Sequence, residues 1–232
     1  MVKHIIKTKI KKILLLLILA AGTLFAFSLT ESQTAQLCFI VGLFFLFVFP
    51  IKLKILTKIL MLLSVVFCLI FPFTIAPLKN TFSEEQLKHG NYFVKQASII
   101  HRLDVWNYAA EKTIKSPIYG NGIESLRFMK SDTYMEHQKA DNALHAHNAV
   151  LQVWAEFGII GILLAIALLV YIFRSINNIE NHDIRRLYLA SFMACLCCSL
   201  TGYGIWQSWQ LGLFFAVAAF AITLGHAQRQ KD

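Results

Sequence analysis

The chain is short of charge. Only 15% of its 232 residues are Asp, Glu, Lys or Arg, and just 13 are acidic. A soluble domain carries about a quarter of its residues charged. With 57% hydrophobic residues and a mean hydropathy of +0.58, this composition excludes an ordinary soluble protein. Proline is scarce as well, at four residues, which leaves long stretches free of a helix breaker. The hydrophilic segment 78–147 contains no cysteine, so no disulfide framework braces it. Cys38, Cys68, Cys195, Cys197 and Cys198 all fall in apolar runs. The group Cys195-Leu-Cys197-Cys198 matches a metal cluster only in its count. It has no histidines nearby, and small apolar packing accounts for it.

Apolar length is abundant. Runs at 12–29, 35–50, 57–77, 148–173, 187–204 and 208–226 approach or exceed the roughly 20 helical residues that cross a bilayer. The sequence predicts an all-α integral membrane protein of about six transmembrane helices with one large, partly helical periplasmic loop. Three transmembrane helices lie in 1–77, the loop is 78–147, and three more lie in 148–232. The run at 12–29 follows a basic start but is long for a signal peptide, and no A-x-A site follows it. An uncleaved first span is expected.

The net charge of +9 does not point to nucleic acid, because of where it sits. Lys3, Lys7, Lys9, Lys11 and Lys12 precede the first run, and Lys52, Lys54 and Lys58 separate the second and third. Arg174, Arg185 and Arg186 separate the fourth and fifth, while Arg229 and Lys231 follow the sixth. If every run crosses, these share one side, which the positive-inside rule makes cytoplasmic, together with both termini. The segment 78–147, with nine Lys/Arg against eight Asp/Glu, then faces outward.

That segment is too long for a plain connector. Ser83 stands three residues before Gln86, a capping-box pattern. From Tyr92 to Lys115, apolar residues at Val94, Ala97, Ile100, Leu103, Trp106, Ala109 and Ala110 follow a helical period. An amphipathic helix at the membrane mouth is expected, ended by Pro117. Gly120-Asn121-Gly122 reads as a turn, or as a backbone loop able to approach a phosphate. Arg102 and Trp106 share a helix face. Together they suit an anion clamp; a snorkelling arginine, or one paired with Asp104 or Glu111, is the plainer alternative. Five of the eight histidines, His89, His101, His137, His145 and His147, lie in this segment. On a helix, His145 and His147 would point apart, and no acidic ligand has matching spacing, so no metal and no cofactor is expected.

His147-Asn148 opens the fourth run, and Gly158-Ile-Ile-Gly161 lies deeper in it. A histidine at a helix start is a cap, a surface hydrogen-bonding group or an acid–base residue. Gly158 and Gly161 suit close helix packing. Glu156, buried by its depth in the run, is expected to hydrogen-bond to a neighbouring helix or to face a polar cavity.

These residues resemble the C-terminal half of an O-antigen ligase/polymerase-type membrane glycosyltransferase. The resemblance rests on His147-Asn148, nine residues and Gly158-x-x-Gly161. It rests also on Arg102, Trp106, Pro117, Gly120 and Gly122 in order and, more weakly, on the Thr30–Ala35 turn. It spans roughly residues 25–225. It implies metal-independent transfer of a glycan from undecaprenyl diphosphate to a lipid A–core sugar hydroxyl, or to another glycan, at the periplasmic face of a bacterial inner membrane, in lipopolysaccharide biosynthesis. His147 and Arg102 would be catalytic, the first assisting the acceptor hydroxyl and the second holding the diphosphate. Asn148, Trp106, Gly120 and Gly122 would bind substrate. Gln33 stands where the family often has arginine. Such enzymes have about a dozen spans, so the resemblance implies that a separate N-terminal-half chain supplies the rest or that this is a truncated remnant. A polymerase of the same class is the alternative activity. No internal repeat supports a transporter.

Overall fold

The computed structural model describes Leu14, Ile18, residues 21–23, 25–27 and 29, and residues 32–81, 99–128 and 145–229. Among these, every regular element is a helix. The N-terminal lysines, the Ser83–Gln86 capping sequence, residues 92–98 of the expected amphipathic helix, His89, His137 and Lys231 lie outside the described residues.

Helix α1 (Gln33–Leu43) begins at Ser32, whose Oγ accepts the Ala35 backbone N–H at 3.3 Å. This N-cap satisfies one of the donors a helix start leaves without a partner. The helix runs into a π turn, Phe44–Val48. Phe49 then turns extended, with ψ of 129°, as the residue before a proline does. Helix α2 (Lys54–Thr81) contains Pro72 and Pro77. Pro72 has no N–H to give the Cys68 carbonyl four residues back. The indole Nε1 of Trp154 donates to that carbonyl instead, at 2.8 Å. The hydrogen bond that proline removes from α2 thus becomes a tie to another helix.

Helix α3 (Ile99–Lys115) is the amphipathic element, and Pro117 follows its end. Leu103, Tyr108, Ala109 and Ala110 are buried. They face α2 and the long helix α5 (Ala149–Asn177), so α3 covers a helix pair with its apolar side. A short turn, α4 (Ser125–Phe128), also rests on α5. Helix α6 (His182–Thr201) starts earlier than its apolar run. The Asn181 side chain caps it, accepting from the Asp183 and Ile184 N–H groups, so its first turn is polar. Helix α7 (Ser208–Arg229) packs against α6, where the Tyr188 hydroxyl donates to the Ala221 carbonyl.

Helix α5 is the axis, with α2, α3 and α6 packed on it, and α1 lies along α6. One core joins Phe45, Trp154, Ile162, Phe173 and Leu189; a second joins Ile75, Tyr108, Leu151 and Ala155. Among the described residues, three helices are long and apolar enough to cross a membrane: Lys54–Pro77, Ala149–Asn177 and His182–Thr201. Gln33–Val48 and Ser208–Thr223 are shorter apolar helices. The outward faces of α2 and α5 carry large apolar side chains, Leu63 at 60% exposure and Leu164 at 69%. Water would penalise such faces and lipid would not.

Candidate active site

The C-terminus of α6 gathers residues that are far apart in sequence. A helix end leaves carbonyls without intrahelical partners and carries partial negative charge. Here the Asn148 amide donates to the Leu200 carbonyl at 3.1 Å. Arg102 Nη1 donates to the Thr201 carbonyl at 2.6 Å, which also accepts the Thr34 hydroxyl at 3.1 Å. Arg102 Nη2 reaches Thr34 Oγ1 at 3.4 Å. His147 Nδ1 meets the Gly202 carbonyl at 3.1 Å. Two basic side chains thereby sit at the negative end of the helix dipole.

A cavity of about 1010 Å³ opens beside this helix end. Arg102 and His147 both line it, with Ser32, Gln33 and Thr34 at the start of α1 and Tyr203 and Trp209 beyond α6. Burial pushes the Arg102 pKa below the ordinary guanidinium value, partly opposed by Tyr203. A guanidinium remains charged at neutral pH nonetheless. A carbonyl oxygen only accepts, so His147 Nδ1 must carry hydrogen. In the neutral ring this assigns the lone pair to Nε2.

His147 holds φ at 52°, a left-handed conformation uncommon for a residue with a side chain. It precedes the helix and does not cap it. Asn148 is the N-cap of α5, its Oδ1 accepting the Leu151 N–H at 3.1 Å. This irregular backbone also changes the expected relation of the two histidines. On a helix they would diverge, but here the His145 and His147 rings lie 4.4 Å apart, centroid to centroid. Both rings neighbour Tyr203, which in turn meets Trp209 edge-on at 5.9 Å.

The other expected site residues have internal partners. Asn148 is 2% exposed and held at both ends of its amide. Trp106 packs edge-on against Phe71 at 5.6 Å, away from the Arg102 hydrogen bonds, and its indole nitrogen is buried without a hydrogen-bond partner. Glu111, a possible partner for Arg102, accepts instead from Asn107 at 2.6 Å. Gly120 and Gly122 belong to a loop that docks into a break in α5. Gly158 has φ 61° and ψ −151°, which interrupts the helical ladder. The loop supplies the missing bonds: Asn121 N donates to the Ala155 carbonyl and Gly122 N to the Glu156 carbonyl, each at 2.9 Å. Ile159 N finds the Pro117 carbonyl at 2.8 Å. A Cβ at Gly120 would strike the Glu156 and Phe157 backbone, and one at Gly158 the Ile118 backbone. The close approach expected at Gly158 is therefore to a loop, whereas a Cβ at Gly161 would meet Phe157 and Val153 of its own helix.

A family model for O-antigen ligase matches residues 14–166. The chain belongs to the O-antigen ligase family. Several rickettsial proteins are similar to it. One from Rickettsia conorii, named "Putative polysaccharide ligase", is 34% identical over 131 residues, covering 54% of this chain and 32% of that protein. One of the same description from Rickettsia typhi is 29% identical over 199 residues, covering 83% of this chain and 47% of its own length. This chain thus spans about a third to a half of the length of these relatives. No solved structure matches it.

Within the family frame, the matched region holds Arg102, His147 and Asn148 but stops short of the α6–α7 connector. That connector, Gly202-Tyr-Gly-Ile-Trp-Gln207, supplies Tyr203 to the cavity and the Gly202 carbonyl to His147. From the sequence alone it has no assigned role, being divided between the end of the 187–204 run and the gap before 208. Its signal was compositional: two glycines and two aromatics between apolar runs. Thr34 was missed for a similar reason, since a lone threonine at a helix start reads as a local cap.

Proposed function

We propose that the chain is a glycan ligase component, transferring a saccharide from a polyprenyl diphosphate carrier to a sugar hydroxyl at the outer face of the bacterial inner membrane. The observation that carries this reading is the convergence of Arg102 and His147 on one cavity at the α6 C-terminus, from segments 45 residues apart. His147 Nε2 would take the proton of the acceptor hydroxyl as its oxygen bonds to the anomeric carbon. The anomeric carbon–oxygen bond to the diphosphate breaks, and its electron pair stays on the diphosphate oxygen. Arg102 would neutralise the charge growing there, as cationic side chains do in such departures. In this reading Asn148 holds the histidine's backbone, Trp106 braces α3, and Gly120 and Gly122 seat the loop. The acceptor is a lipid A–core sugar in a ligase, or a further repeat unit in a polymerase. A separate membrane chain would complete the wall of the cavity.

His147→Ala and Arg102→Ala, introduced singly into cells that carry the protein, are expected to abolish attachment of surface glycan. Protein abundance and membrane insertion should be unchanged. Full attachment in both variants would overturn the reading and leave the two residues as caps of α6. Analysis of the carrier lipid separates the two activities: loss of a ligase leaves long chains on the lipid, and loss of a polymerase leaves single repeats.

A further inference from the structure

Glu156 is the one acidic residue of α5, and it is 1% exposed. A carboxyl group at this depth in an apolar helix is costly to desolvate and is retained where it has work to do. Both of its oxygens are engaged. Oε1 accepts from Gln152 Nε2 at 2.9 Å, one turn earlier, and Oε2 accepts from the indole Nε1 of Trp206 at 2.7 Å. Gln152, 3% exposed, turns its own oxygen to the backbone N–H of Ile205 at 3.0 Å. Two side chains of α5 therefore grip two consecutive residues of the α6–α7 connector. Gly204 immediately precedes them, placed so that a Cβ would strike His145 and crowd the Gln152 oxygen.

The connector is the segment that sets the cavity. Its Gly202 carbonyl receives His147 Nδ1, and its Tyr203 ring flanks His147. Its backbone hydrogen bonds run to α6 and to the start of α7, and its rings meet His145 through Tyr203 and Phe157 of α5 through Trp206. It has no regular secondary structure between Gly202 and Gln207 to hold it in place. Gly202 N donates to the Cys198 carbonyl at 2.8 Å. Without the two bonds to α5, the chain beyond it would lose its hydrogen bonds to that helix, and Tyr203 and the Gly202 carbonyl could shift relative to the imidazole.

We infer that Glu156, through Trp206 and with Gln152, is a positioning residue that fixes the 202–207 connector, and with it the ring orientation and tautomer of His147. The inference rests on the catalytic reading of His147. Glu156 itself touches neither the cavity nor a reacting atom; it acts through the connector. A neutral amide keeps one oxygen for the indole N–H and gives up the bond from Gln152, whose Nε2 would then face an NH2 group, so it preserves the Trp206 tie without the carboxylate's charge.

The test measures surface-glycan attachment, beside protein abundance in the membrane, for Glu156→Ala, Glu156→Gln, Trp206→Phe and His147→Ala in cells that carry the protein. Glu156→Ala and Trp206→Phe are each expected to lower attachment by about 10- to 100-fold, the scale on which a misplaced catalytic group loses rate. Glu156→Gln should recover most of that loss. The double variant Glu156→Ala/Trp206→Phe should be no worse than Glu156→Ala alone, because both changes remove the Glu156–Trp206 bond. If Glu156→Ala fails to accumulate, Trp206→Phe, which keeps an aromatic ring and removes the indole N–H, carries the decision. Full attachment with Trp206→Phe while His147→Ala is inactive would overturn this inference alone. So would a Glu156→Gln variant as inactive as Glu156→Ala. Full attachment with His147→Ala would overturn the catalytic reading and this inference together.

Discussion

At Gly158 the backbone takes φ 61° and ψ −151°, a region open to glycine and closed to residues with a Cβ. The cost of a side chain there is double, because the added carbon would also strike the Ile118 backbone. Gly120 is in the same position from the other side, with φ 69° and the α5 backbone against its missing Cβ. Gly158→Ala and Gly120→Ala are each expected to destabilise the fold by about 1–3 kcal/mol or more, since strain and collision add. Thermal melting of the detergent-solubilised protein would read this, and an unchanged melting temperature in both would contradict the docked loop. Gly122 also has positive φ, at 95°, but open space around it, so its alanine variant should lose less than the other two. Residue-level effects of this kind separate a glycine needed for close approach from one needed only for its own turn.

At the scale of elements, the helices are joined by bonds that each helix cannot make for itself. Pro72 leaves the Cys68 carbonyl without its intrahelical donor, and Trp154 of α5 supplies one. Trp154→Phe should keep most of the apolar packing and lose that bond. The expected cost is about 1–3 kcal/mol, the penalty of a buried carbonyl left unpaired. Combining it with Pro72→Ala should recover part of the loss, because the alanine N–H restores the donor within α2. A melting series of the two single variants and the double checks this; strictly additive losses would show that the carbonyl is not the shared element. The break in α5 obeys the same logic, with the Asn121 and Gly122 backbone replacing N–H groups that the kink at Gly158 turns away. These ties were not legible in the sequence. Pro72 announced a missing donor and Trp154 an indole needing a partner, but spacing along the chain does not say that they meet.

For the whole molecule, the distribution of lysine and arginine predicts cytoplasmic termini and an outward-facing segment 78–147. Alkaline phosphatase fused within 130–140 is expected to be active, and fused after Arg229 inactive; the reverse pattern would invert the topology and remove the cavity from the outer face. Among the described residues three helices have spanning length and apolarity, and Gln33–Val48 and Ser208–Thr223 are shorter. The π turn and Pro50 explain the first of these, since a widened turn and a proline close α1 before it reaches full length.

What the sequence determined by itself was composition-driven: the apolar runs, the ends near Pro50 and Pro117 and the amphipathic face of α3; the grouping of Arg102 with His147 in one motif series came from the family resemblance. Burial of apolar side chains and the rigidity of proline act locally, so they are visible in a linear text. Element limits at α6 were misread because an apolar window cannot see a polar first turn that Asn181 caps. Only the tertiary structure decided which backbone atoms these side chains address. It brought Arg102, Asn148 and His147 to three successive carbonyls at the end of α6, and joined Gly120 to Gly158 and Glu156 to Trp206. The physical reason is that a hydrogen bond needs its partner within about 3 Å and in line. Separations of 38 to 99 residues along the chain carry no information about that distance until the helices have packed.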